Sequence, residues 1–461
     1  MLHPESTDKR RQINTKVYRN PAGMFFCRVF WLVPMKFEDR YNQCLQNMFG
    51  LRRFGIKLGL ETISFILDGL NNPQNRFLSI HIAGTNGKGS IAAAIASIFK
   101  EAGYRVGLYT SPHLIKFNER IRINGLSISD SDVLDAYEAV KNAGLKDREP
   151  TFFEYTTAMA FYEFARNNVD WAVVETGMGG RLDATNVLVP KLSIISNISL
   201  EHKQYLGNTI EKIAAEKAGI IKEGVPVVTG VSQKKAVEVL KDIAQKNNAP
   251  LFRLKEHFRV RINRKKGTFS YTGMNSILHN MKTGLQGDHQ IENAALTLAA
   301  CEILNRRDVN LGPGHVKDGL LKTHWPGRME VVCQSPYVIV DGAHNLMAAS
   351  KLAKFISENL AGNKITMLMG ILDDKPYKNM MKLLLPLCQR VILTKPLINR
   401  ALPPETLHEA ARDLVKEIKV IPDVKEALFY AMETAEPQET IIAAGSLYVV
   451  GEVKEALESY K

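Results

Sequence analysis

A glycine-rich turn between an apolar strand and an apolar helix constrains the fold of this chain more than any other stretch. The sequence HIAGTNGKGS occupies residues 81–90, after the apolar run 77–80 and directly before an alanine- and isoleucine-rich run that ends at Phe99. Glycines adopt backbone angles that side chains forbid, so backbone N–H groups can approach an anion closely. The helix N-terminus adds a partial positive charge and Lys88 adds a full one. The stretch predicts a phosphate-binding cradle in preference to a plain turn that carries a surface lysine.

The spacing within this cradle differs from that of the common nucleotide-binding loop. Counting back from Gly87, the position of the expected outer glycine is occupied by Ile82. Lys88 is followed by Gly89 before the hydroxyl of Ser90, whereas the common loop has the hydroxyl residue directly after the lysine. The spacing therefore separates this chain from ordinary kinases and GTPases.

Composition narrows the class of protein. The 461 residues suggest two or three domains, and 45% hydrophobic with 23% charged residues is the balance of a globular protein. The net charge is +12. Residues 1–34 hold six Lys/Arg against two Asp/Glu and so account for a third of this excess of positive charge. We interpret the remaining positive field as suited to polyanionic small substrates, not to nucleic acid. Five widely spaced cysteines without a CxxC pair indicate a reducing compartment and argue against a zinc site.

The first 34 residues form an extension that the rest of the chain does not explain. A basic run at 9–11 precedes an apolar segment at 24–34, which Arg28 interrupts and which no small-residue cleavage site follows. We interpret the extension as the product of an upstream start, with translation beginning at Met35, and assign it no function. No apolar run reaches the roughly 18 residues that cross a bilayer.

From Met35 onward, apolar strands alternate with helices, which indicates an α/β fold whose sheet is mostly parallel and covered on both faces. Short alternating stretches within 252–285 predict an added small antiparallel sheet. Glycine and proline density rises between 310 and 326, so we place the first domain at 35–323 and a smaller Rossmann-like α/β domain at 324–461. The predicted strands of the second domain lie at 337–341, 365–369, 391–394, 418–421 and 440–444.

Three polar side chains of the first domain follow strand ends, where ligands bind in parallel sheets. Glu175 ends a buried strand and is suited to hold Mg²⁺ beside a phosphate loop. Ser111 could supply a hydroxyl ligand, and His202 follows another strand. The residues alone leave open a helix cap or ion-pair role for Glu175 and a structural role for His202.

A helix after His202 carries a lysine on its apolar face. We predict that it starts with a capping-box-like pair at Asn208 and Glu211 and ends before Gly224. Lys217 lies seven residues after Ile210 on the apolar stripe, so it points inward. A buried lysine has a lowered pKa and is reactive as a free amine, able to act as a base or to be carbamylated. The alternative is a lysine whose ammonium reaches the surface.

The second domain repeats the order of strand and polar turn. Asp341 ends its first predicted strand and His344 follows in the turn, Arg328 lies at the domain edge, and Ser446 opens the last helix. Two α/β domains whose strand ends both carry phosphate-compatible loops predict an active site in the cleft between them.

Together and in this order, the motifs resemble the folylpolyglutamate synthase/dihydrofolate synthase family, within the wider Mur ligase group. The resemblance covers the chain from Met35 to its end, and the cradle with Gly89 between Lys88 and Ser90 is this family's own form. It rests on residues 84–90, 110–114, 117–121, 175–187, 202, 217–222, 289–293, 327–328, 341–345 and 445–446.

The resemblance implies an ATP-dependent amide ligase with a P-loop ATPase-like first domain. ATP would phosphorylate a carboxylate of dihydropteroate or a reduced folate, and the amine of L-glutamate would displace phosphate from the acyl phosphate. By position, Ser111, Glu175 and His202 correspond to the Mg²⁺ ligands and Lys217 to the lysine that is carbamylated in the family. The resemblance also implies a monovalent cation, and a cytoplasmic monomer that serves folate biosynthesis and one-carbon metabolism.

Further site residues are carried over by position. His344 and Ser446 correspond to contacts of the acyl phosphate or the incoming glutamate, and with Lys217 they form the predicted catalytic set. The implied ATP contacts are Asn86, Gly87, Lys88, Gly89, Ser90, Asn293, Arg328 and Asp341. The implied pterin-side contacts are Phe153, Glu154, Tyr155, Leu182, Asp183 and Ala184.

Three alternatives stay open at this point. A cell-wall Mur ligase would need a nucleotide-sugar domain before the cradle, and only about fifty residues separate Met35 from Lys88. A nucleotide-binding switch or scaffold would not need the full set of predicted ligands. A monofunctional folylpolyglutamate synthase would use folates alone, although the sequence at 181–184 favours the bifunctional type.

Overall fold

The computed structural model describes residues 14–19, 25–30, 36–51, 55, 57, 59–144, 148–307 and 309–459. Within the N-terminal extension, β1 (Asn14–Arg19) and β2 (Phe25–Phe30) pair as an antiparallel hairpin. The basic run 9–11 and the predicted start at Met35 lie outside the described residues. None of the helices within the described ranges is long and apolar enough to cross a membrane.

The first domain is built on a sheet of eight strands in the order β10-β9-β8-β3-β7-β4-β5-β6. Its strands are β3 (Leu78–Ala83), β4 (Val106–Tyr109), β5 (Ile121–Ile123), β6 (Leu126–Ser127), β7 (Trp171–Glu175), β8 (Leu192–Ile195), β9 (Val227–Thr229) and β10 (Leu251–Arg253). Its helices are α1 (Phe37–Gly50), α2 (Glu61–Gly69), α3 (Lys88–Glu101), α4 (Asp130–Asn142), α5 (Phe152–Arg166), α6 (Lys203–Leu206), α7 (Ile210–Ala218), α8 (Lys234–Lys246), α9 (Asp288–Asn305) and α10 (Pro313–Leu321).

The central strands are parallel because helices cover both faces of the sheet. Residues of β3, β7 and β8 are buried along nearly their whole length, as fits strands without a solvent face. Apolar side chains of α3, α9 and α10 pack on one face, and those of α1, α2, α4 and α5 pack on the other. The sequence did not predict β10 or the antiparallel edge that β5 and β6 add.

The predicted small antiparallel sheet is confirmed. It consists of β11 (Arg259–Asn263), β12 (Thr268–Thr272) and β13 (Ile277–Met281), and it packs through β11 and β12 on α9. Five short 3₁₀ helices lie elsewhere in the described ranges, at Pro73–Asn75, Phe117–Arg120, Ala184–Val187, Arg264–Lys266 and Leu385–Leu387.

The second domain has a sheet of six strands in the order β14-β15-β19-β16-β17-β18. All five predicted strands are confirmed, and β14 is an additional antiparallel strand at the edge. The strands are β14 (Glu330–Gln334), β15 (Tyr337–Val340), β16 (Ile365–Met369), β17 (Arg390–Leu393), β18 (Glu417–Val420) and β19 (Thr440–Ala444). The helices are α11 (Leu346–Asn359), α12 (Tyr377–Leu384), α13 (Pro404–Ala411), α14 (Val424–Glu433) and α15 (Leu447–Glu458).

The start of α7 differs from the prediction, whereas its end before Gly224 is as predicted. The hydroxyl of Thr209, not a pair of Asn208 and Glu211, caps the helix by accepting a hydrogen bond from the Lys212 N–H. The helix ends at Ala218, well before Gly224. A threonine hydroxyl satisfies a free N–H of the first turn, which explains why the start moves by one residue. The predicted domain boundary at 323/324 falls between α10 and β14 and stays a prediction.

Candidate active site

Two close contacts explain the glycines of the cradle. Gly87 precedes α3 with a φ of 86°, and a Cβ there would lie 2.6 Å from Oδ1 of Asn293 on α9. A Cβ on Gly89 would lie 2.7 Å from Nε1 of Trp325. Gly89 is therefore required because the indole of Trp325 packs against the first turn of α3. The departure from the common loop spacing is thus a packing requirement between the cradle and the segment that leads into the second domain.

A cation and a buried carboxylate meet beneath the cradle. The Lys88 Nζ donates to the carbonyl oxygens of Gly84 and Thr85 over 3.1 and 3.3 Å and lies 3.7 Å from Oε1 of Glu175. The other oxygen, Oε2, accepts from the Ser111 N–H over 3.3 Å. Burial raises the pKa of Glu175, while Lys88 and the Ser111 N–H oppose that shift. The structure brings these predicted residues together at the carboxyl ends of β4 and β7.

Two features of the cradle fit a nucleotide with a divalent cation. The Ser90 hydroxyl in the first turn of α3 is buried and has no hydrogen-bond partner among the described residues. The Glu175 carboxylate lies next to that turn and is suited to a hard cation. Within the described ranges, no group of three or more His, Cys, Asp or Glu side chains could hold a metal ion. A cation here would therefore complete its shell with oxygens of the nucleotide and water.

Lys217 points inward, as its position on the apolar stripe predicts. Its Nζ donates to the Gly84 carbonyl oxygen and to Oε1 of Glu201, each over 2.9 Å. Burial lowers the pKa of Lys217, and the Glu201 carboxylate opposes the shift. Burial also favours the neutral acid at Glu201, but Lys217 and Lys88 hold the pKa of this carboxyl below its ordinary value. The two side chains thus form an ion pair directly behind the cradle.

His202 lies next to this ion pair, at the wall of the interdomain cavity. It precedes α6 with a φ of 45°, a conformation that non-glycine residues adopt infrequently. Burial lowers the pKa of His202 and Glu201 opposes that shift, so the ring is neutral near pH 7. A neutral imidazole has a free nitrogen that can ligate a metal ion.

The second domain contacts the cradle directly. The side-chain amides of Asn86 and Asn345 form two reciprocal hydrogen bonds of 3.2 and 2.9 Å. Oδ1 of Asn345 also accepts from the Ala348 N–H and so caps α11. The tip of the cradle is therefore joined to the N-terminus of a helix in the other domain.

His344 presents a free ring nitrogen next to this contact. Its Nδ1 lies 2.8 Å from the Gly342 carbonyl oxygen, which can only accept, so Nδ1 carries the proton. Burial lowers the pKa of His344 to about 4, and the ring is neutral. Nε2 is consequently an acceptor on a residue that lines the interdomain cavity.

A cavity of about 1930 Å³ separates the two domains, and both contribute to its wall. A smaller cavity of about 40 Å³ adjoins the cradle. The predicted site residues that line the large cavity are Ser111, Phe153, Glu154, Leu182, Asp183, Ala184, His202 and His344. Those that line the smaller cavity are Gly89, Ser111, Glu175 and Arg328.

Asp183 organises the predicted substrate side of the large cavity. Its Oδ1 accepts from the N–H and the hydroxyl of Thr185 over 3.1 and 2.5 Å, and its Oδ2 accepts from the Met178 N–H over 2.8 Å. The ring of Phe153 packs on Gly177, where a Cβ would lie 2.5 Å from the ring. Glu154 caps α5 together with Thr151 and pairs with Arg148 over 2.7 Å.

The structure assigns other positions to two predicted contacts. Tyr155 is packed in the core on the far side of α5, and its hydroxyl donates to the Tyr137 carbonyl oxygen over 2.8 Å. Ser446 is buried, and its hydroxyl caps α15 by accepting from the Val449 N–H over 3.1 Å. Neither residue is among the described residues that line the two cavities.

Asn293 and Asp341 support the site from behind. Asn293 lies against Gly87 of the cradle, and its amide donates to Oε1 of Gln290. Both oxygens of Asp341 accept backbone N–H groups, those of Met329 and Ala343, over 2.9 Å each. Asp341 thus fixes the turn after β15 and the backbone next to Arg328.

Three residues of the site were missed from the sequence. Glu201 pairs with Lys217, Trp325 packs on Gly89, and Asn345 bonds to Asn86. Each lies within three residues of one that was singled out, in the sequences EH, WPGR and HN. That proximity was the available signal, but Trp325 and Asn345 contact residues far away in sequence, and Glu201 pairs with a lysine on another helix.

Two family models and several known proteins match this chain. The Mur ligase middle domain matches residues 82–301, and the Mur ligase glutamate ligase domain matches residues 327–447. The chain is 37% identical over 428 residues to the dihydrofolate synthase/folylpolyglutamate synthase of Bacillus subtilis, which covers 91% of this chain and 99% of that protein.

Solved structures share the whole fold. FolC of Escherichia coli in complex with DHPP and ADP has a TM-score of 0.83 at 29% identity, covering 90% of this chain and 98% of that one. The bifunctional folylpolyglutamate synthase/dihydrofolate synthase of Yersinia pestis, complexed with AMPPNP and Mn ion, has a TM-score of 0.81 at 29% identity, covering 91% and 98%.

The buried ion pair behind the cradle predicts a strong dependence of stability on Lys217. Lys217→Met leaves the Glu201 carboxylate without its partner and should lower the free energy of unfolding by about 3 kcal/mol. Adding Glu201→Gln removes the unpaired charge and should restore at least half of that loss. Urea unfolding followed by circular dichroism measures both effects. Lys212→Met, at an exposed position of the same helix, is the control and should stay within about 0.5 kcal/mol of the wild type. A double variant no more stable than Lys217→Met would contradict the ion-pair explanation.

Proposed function

The chain belongs to the folylpolyglutamate synthase/dihydrofolate synthase family of Mur ligases, and from this premise we propose how its site performs the reaction. It is an ATP-dependent ligase that adds L-glutamate to dihydropteroate and to (poly)glutamyl tetrahydrofolate, releasing ADP and phosphate. The observation that carries the assignment is the interdomain cavity, which Ser111 and His202 of the first domain and His344 of the second line, and next to which Asn86 of the cradle bonds to Asn345.

The cradle residues bind and orient the phosphates of ATP. The N-terminus of α3 and Lys88 offset their negative charge, and residues of the second domain shield the site from water. Ser111, Glu175 and His202 would hold the divalent cation, with the unpaired Ser90 hydroxyl next to it. When bound, that cation supplies neutralisation of charge on the transferring phosphoryl group.

Two bond exchanges complete the ligation. A carboxylate oxygen of the pteroyl or glutamyl substrate forms a bond to the γ-phosphorus as ADP leaves. The amine of glutamate then forms a bond to the acyl carbon, phosphate leaves, and the amine loses a proton. Nε2 of the neutral His344 accepts a hydrogen bond from this amine, and Arg328 offsets charge on the acyl phosphate. Ser446 supports the site as the cap of α15.

The pterin end of the substrate occupies the wall formed by Phe153 and the turn 182–184. The Phe153 ring supplies an apolar face, and Asp183 accepts hydrogen bonds from the pterin. Glu154 sets the start of α5, so that Phe153 faces the cavity, and Tyr155 anchors the same helix in the core. Asn293 and Asp341 act on ATP through the backbone that they hold.

The charges around Lys217 bear on two finer assignments, a carbamate on its amine and a nearby monovalent cation. A carbamate on Lys217 would set a second anion beside Glu201, an arrangement that is favourable only with a cation between them. We therefore propose that Lys217 is an ammonium paired with Glu201 while no cation is bound and is carbamylated only together with metal binding, and we assign a monovalent cation to the same polar region. We further propose that the protein acts as a cytoplasmic monomer in folate and one-carbon metabolism, with small-molecule partners only.

Release of ADP tests the function directly. With Mg²⁺, ATP and L-glutamate, we expect ADP release that depends on either dihydropteroate or tetrahydrofolate. Chelation of the divalent cation should abolish it, and Lys88→Ala should lower kcat on the order of a hundredfold. Activity with folates alone would establish the monofunctional alternative. No ADP release with either substrate would refute the ligase and favour a nucleotide-binding switch.

A substitution at Asp183 tests whether the pterin side of the site can be changed without changing the ATP side. Asp183→Ala removes the acceptor on the pterin side and loosens the turn at Met178, so the KM for dihydropteroate should rise at least tenfold. The KM for ATP should change by less than about twofold, because the cradle keeps its contacts. Steady-state kinetics with each substrate varied in turn measures the split. Equal losses for both substrates would count against the pterin-side role.

Carbamylation of Lys217 can be seen without turnover. Carbon-13 NMR of the protein in bicarbonate enriched with ¹³C should show a carbamate signal that increases when the divalent cation is added and is absent from Lys217→Met. A spectrum without this signal at saturating metal and nucleotide would establish a free amine at Lys217.

A further inference from the structure

A fully buried histidine on the cradle strand is left unexplained by the reaction. His81 lies on β3, two residues before the strand ends at Ala83. Its neighbours Ile80 and Ile82 pack with α3 on one face of the sheet, so the imidazole lies on the opposite face. There, Nε2 is 2.8 Å from the hydroxyl of Thr185. The position is one where an apolar side chain would ordinarily pack.

The hydrogen bonds fix the direction of each proton. The Thr185 hydroxyl donates its single hydrogen to Oδ1 of Asp183 over 2.5 Å. It can therefore only accept from His81, so Nε2 carries the proton and Nδ1 does not. Nδ1 is buried and has no hydrogen-bond partner among the described residues. Burial, together with Lys222, lowers the pKa of His81 to about 3, which agrees with a neutral ring that has one N–H.

The chain of hydrogen bonds ends on a carboxylate that only accepts. Asp183 accepts from the N–H and hydroxyl of Thr185 and from the N–H of Met178. The His81 N–H occupies the accepting side of the Thr185 oxygen, so the hydroxyl hydrogen points at Asp183 and not back at His81. The His81 N–H therefore selects the rotamer in which Thr185 bonds to Asp183.

We propose that His81 is a positioning residue which, through Thr185, holds Asp183 in the orientation that binds the pteroate-type substrate. Because His81 lies on the strand that leads into the cradle, the same contact joins the nucleotide side of the site to the pterin side. The proposal rests on the proposed function and adds two residues to its substrate specificity. It also explains why a histidine with one unpaired nitrogen occupies a place that an apolar residue could fill without leaving a buried polar atom unpaired.

Paired substitutions separate the hydrogen bond from the volume of each side chain. His81→Met and Thr185→Val keep much of the buried volume but remove the donor or the hydroxyl. Both should raise the KM for dihydropteroate on the order of tenfold while the KM for ATP changes less than about twofold. His81→Gln and Thr185→Ser restore the donor and the hydroxyl and should return the KM for dihydropteroate to within about threefold of the wild type.

Ser193→Ala is the matched control. Ser193 is the register partner of His81 on β8 and loses a buried hydrogen bond of 2.8 Å to the Ile220 carbonyl oxygen, with no link to Asp183. This substitution should lower the melting temperature without raising the KM for dihydropteroate relative to the KM for ATP. Any of three results would overturn the proposal. The first is a rise in the KM for dihydropteroate alone in Ser193→Ala, and the second is an equal effect of His81→Gln and His81→Met. The third is a parallel increase in the KM for dihydropteroate and the KM for ATP in the His81 and Thr185 variants.

Nitrogen-15 NMR of the histidine rings tests the geometry without turnover. The wild type should show His81 as the Nε2–H tautomer between about pH 6 and 8, with no titration in that range. An Nδ1–H tautomer or a titrating ring would overturn the proposal. If the wild type releases no ADP with dihydropteroate, the proposed function is refuted instead. The tautomer of His81 would still show whether the hydrogen bonds from His81 through Thr185 to Asp183 run as proposed.

Discussion

The buried ammonium of Lys217 is the interaction on which the rest of the site depends. It holds the Gly84 carbonyl oxygen and the Glu201 carboxylate at 2.9 Å each, so one side chain ties α7 to the cradle and to the segment that carries His202. A lysine in this position is costly to bury, and only its paired carboxylate and carbonyl make it tolerable. The cradle, the segment that carries His202 and the helix behind them are therefore one electrostatic unit.

The second domain completes that unit through short-range contacts. The Asn86–Asn345 amide pair joins the cradle to the start of α11, and Trp325 rests on Gly89 beside Arg328. These contacts involve backbone and side-chain amide groups of fixed geometry. A shift of the second domain would therefore move the cradle through direct contact. Relative motion of the domains would open the cradle and the cavity together.

The sequence predicts most of the fold because its main signals are local. Apolar runs that alternate with helices specify a parallel sheet, and the inward direction of Lys217 follows from helical periodicity. Edge elements such as β14 and β10 carry weak patterns, since an edge strand is half solvated. Asn345 was missed because its partner Asn86 lies 259 residues away. Glu201 was missed because it precedes α6, whereas Lys217, 16 residues later, lies on α7, and helical periodicity does not relate residues of two elements. The contacts of Tyr155 and Ser446 stay predictions: the structure places the first in the core beneath α5 and the second at the cap of α15, away from both cavities.

The same reasoning changes the meaning of the glycine between Lys88 and Ser90. By loop spacing alone, Gly89 looks like a defect in a nucleotide-binding loop. In the structure it is the position at which the first turn of α3 meets the indole of Trp325, where a Cβ would lie 2.7 Å from Nε1. A Cβ at this position would push the indole away, so a bare backbone lets the segment that leads into the second domain pack directly on the turn after Lys88. The inserted glycine therefore follows from the contact between the cradle and that segment.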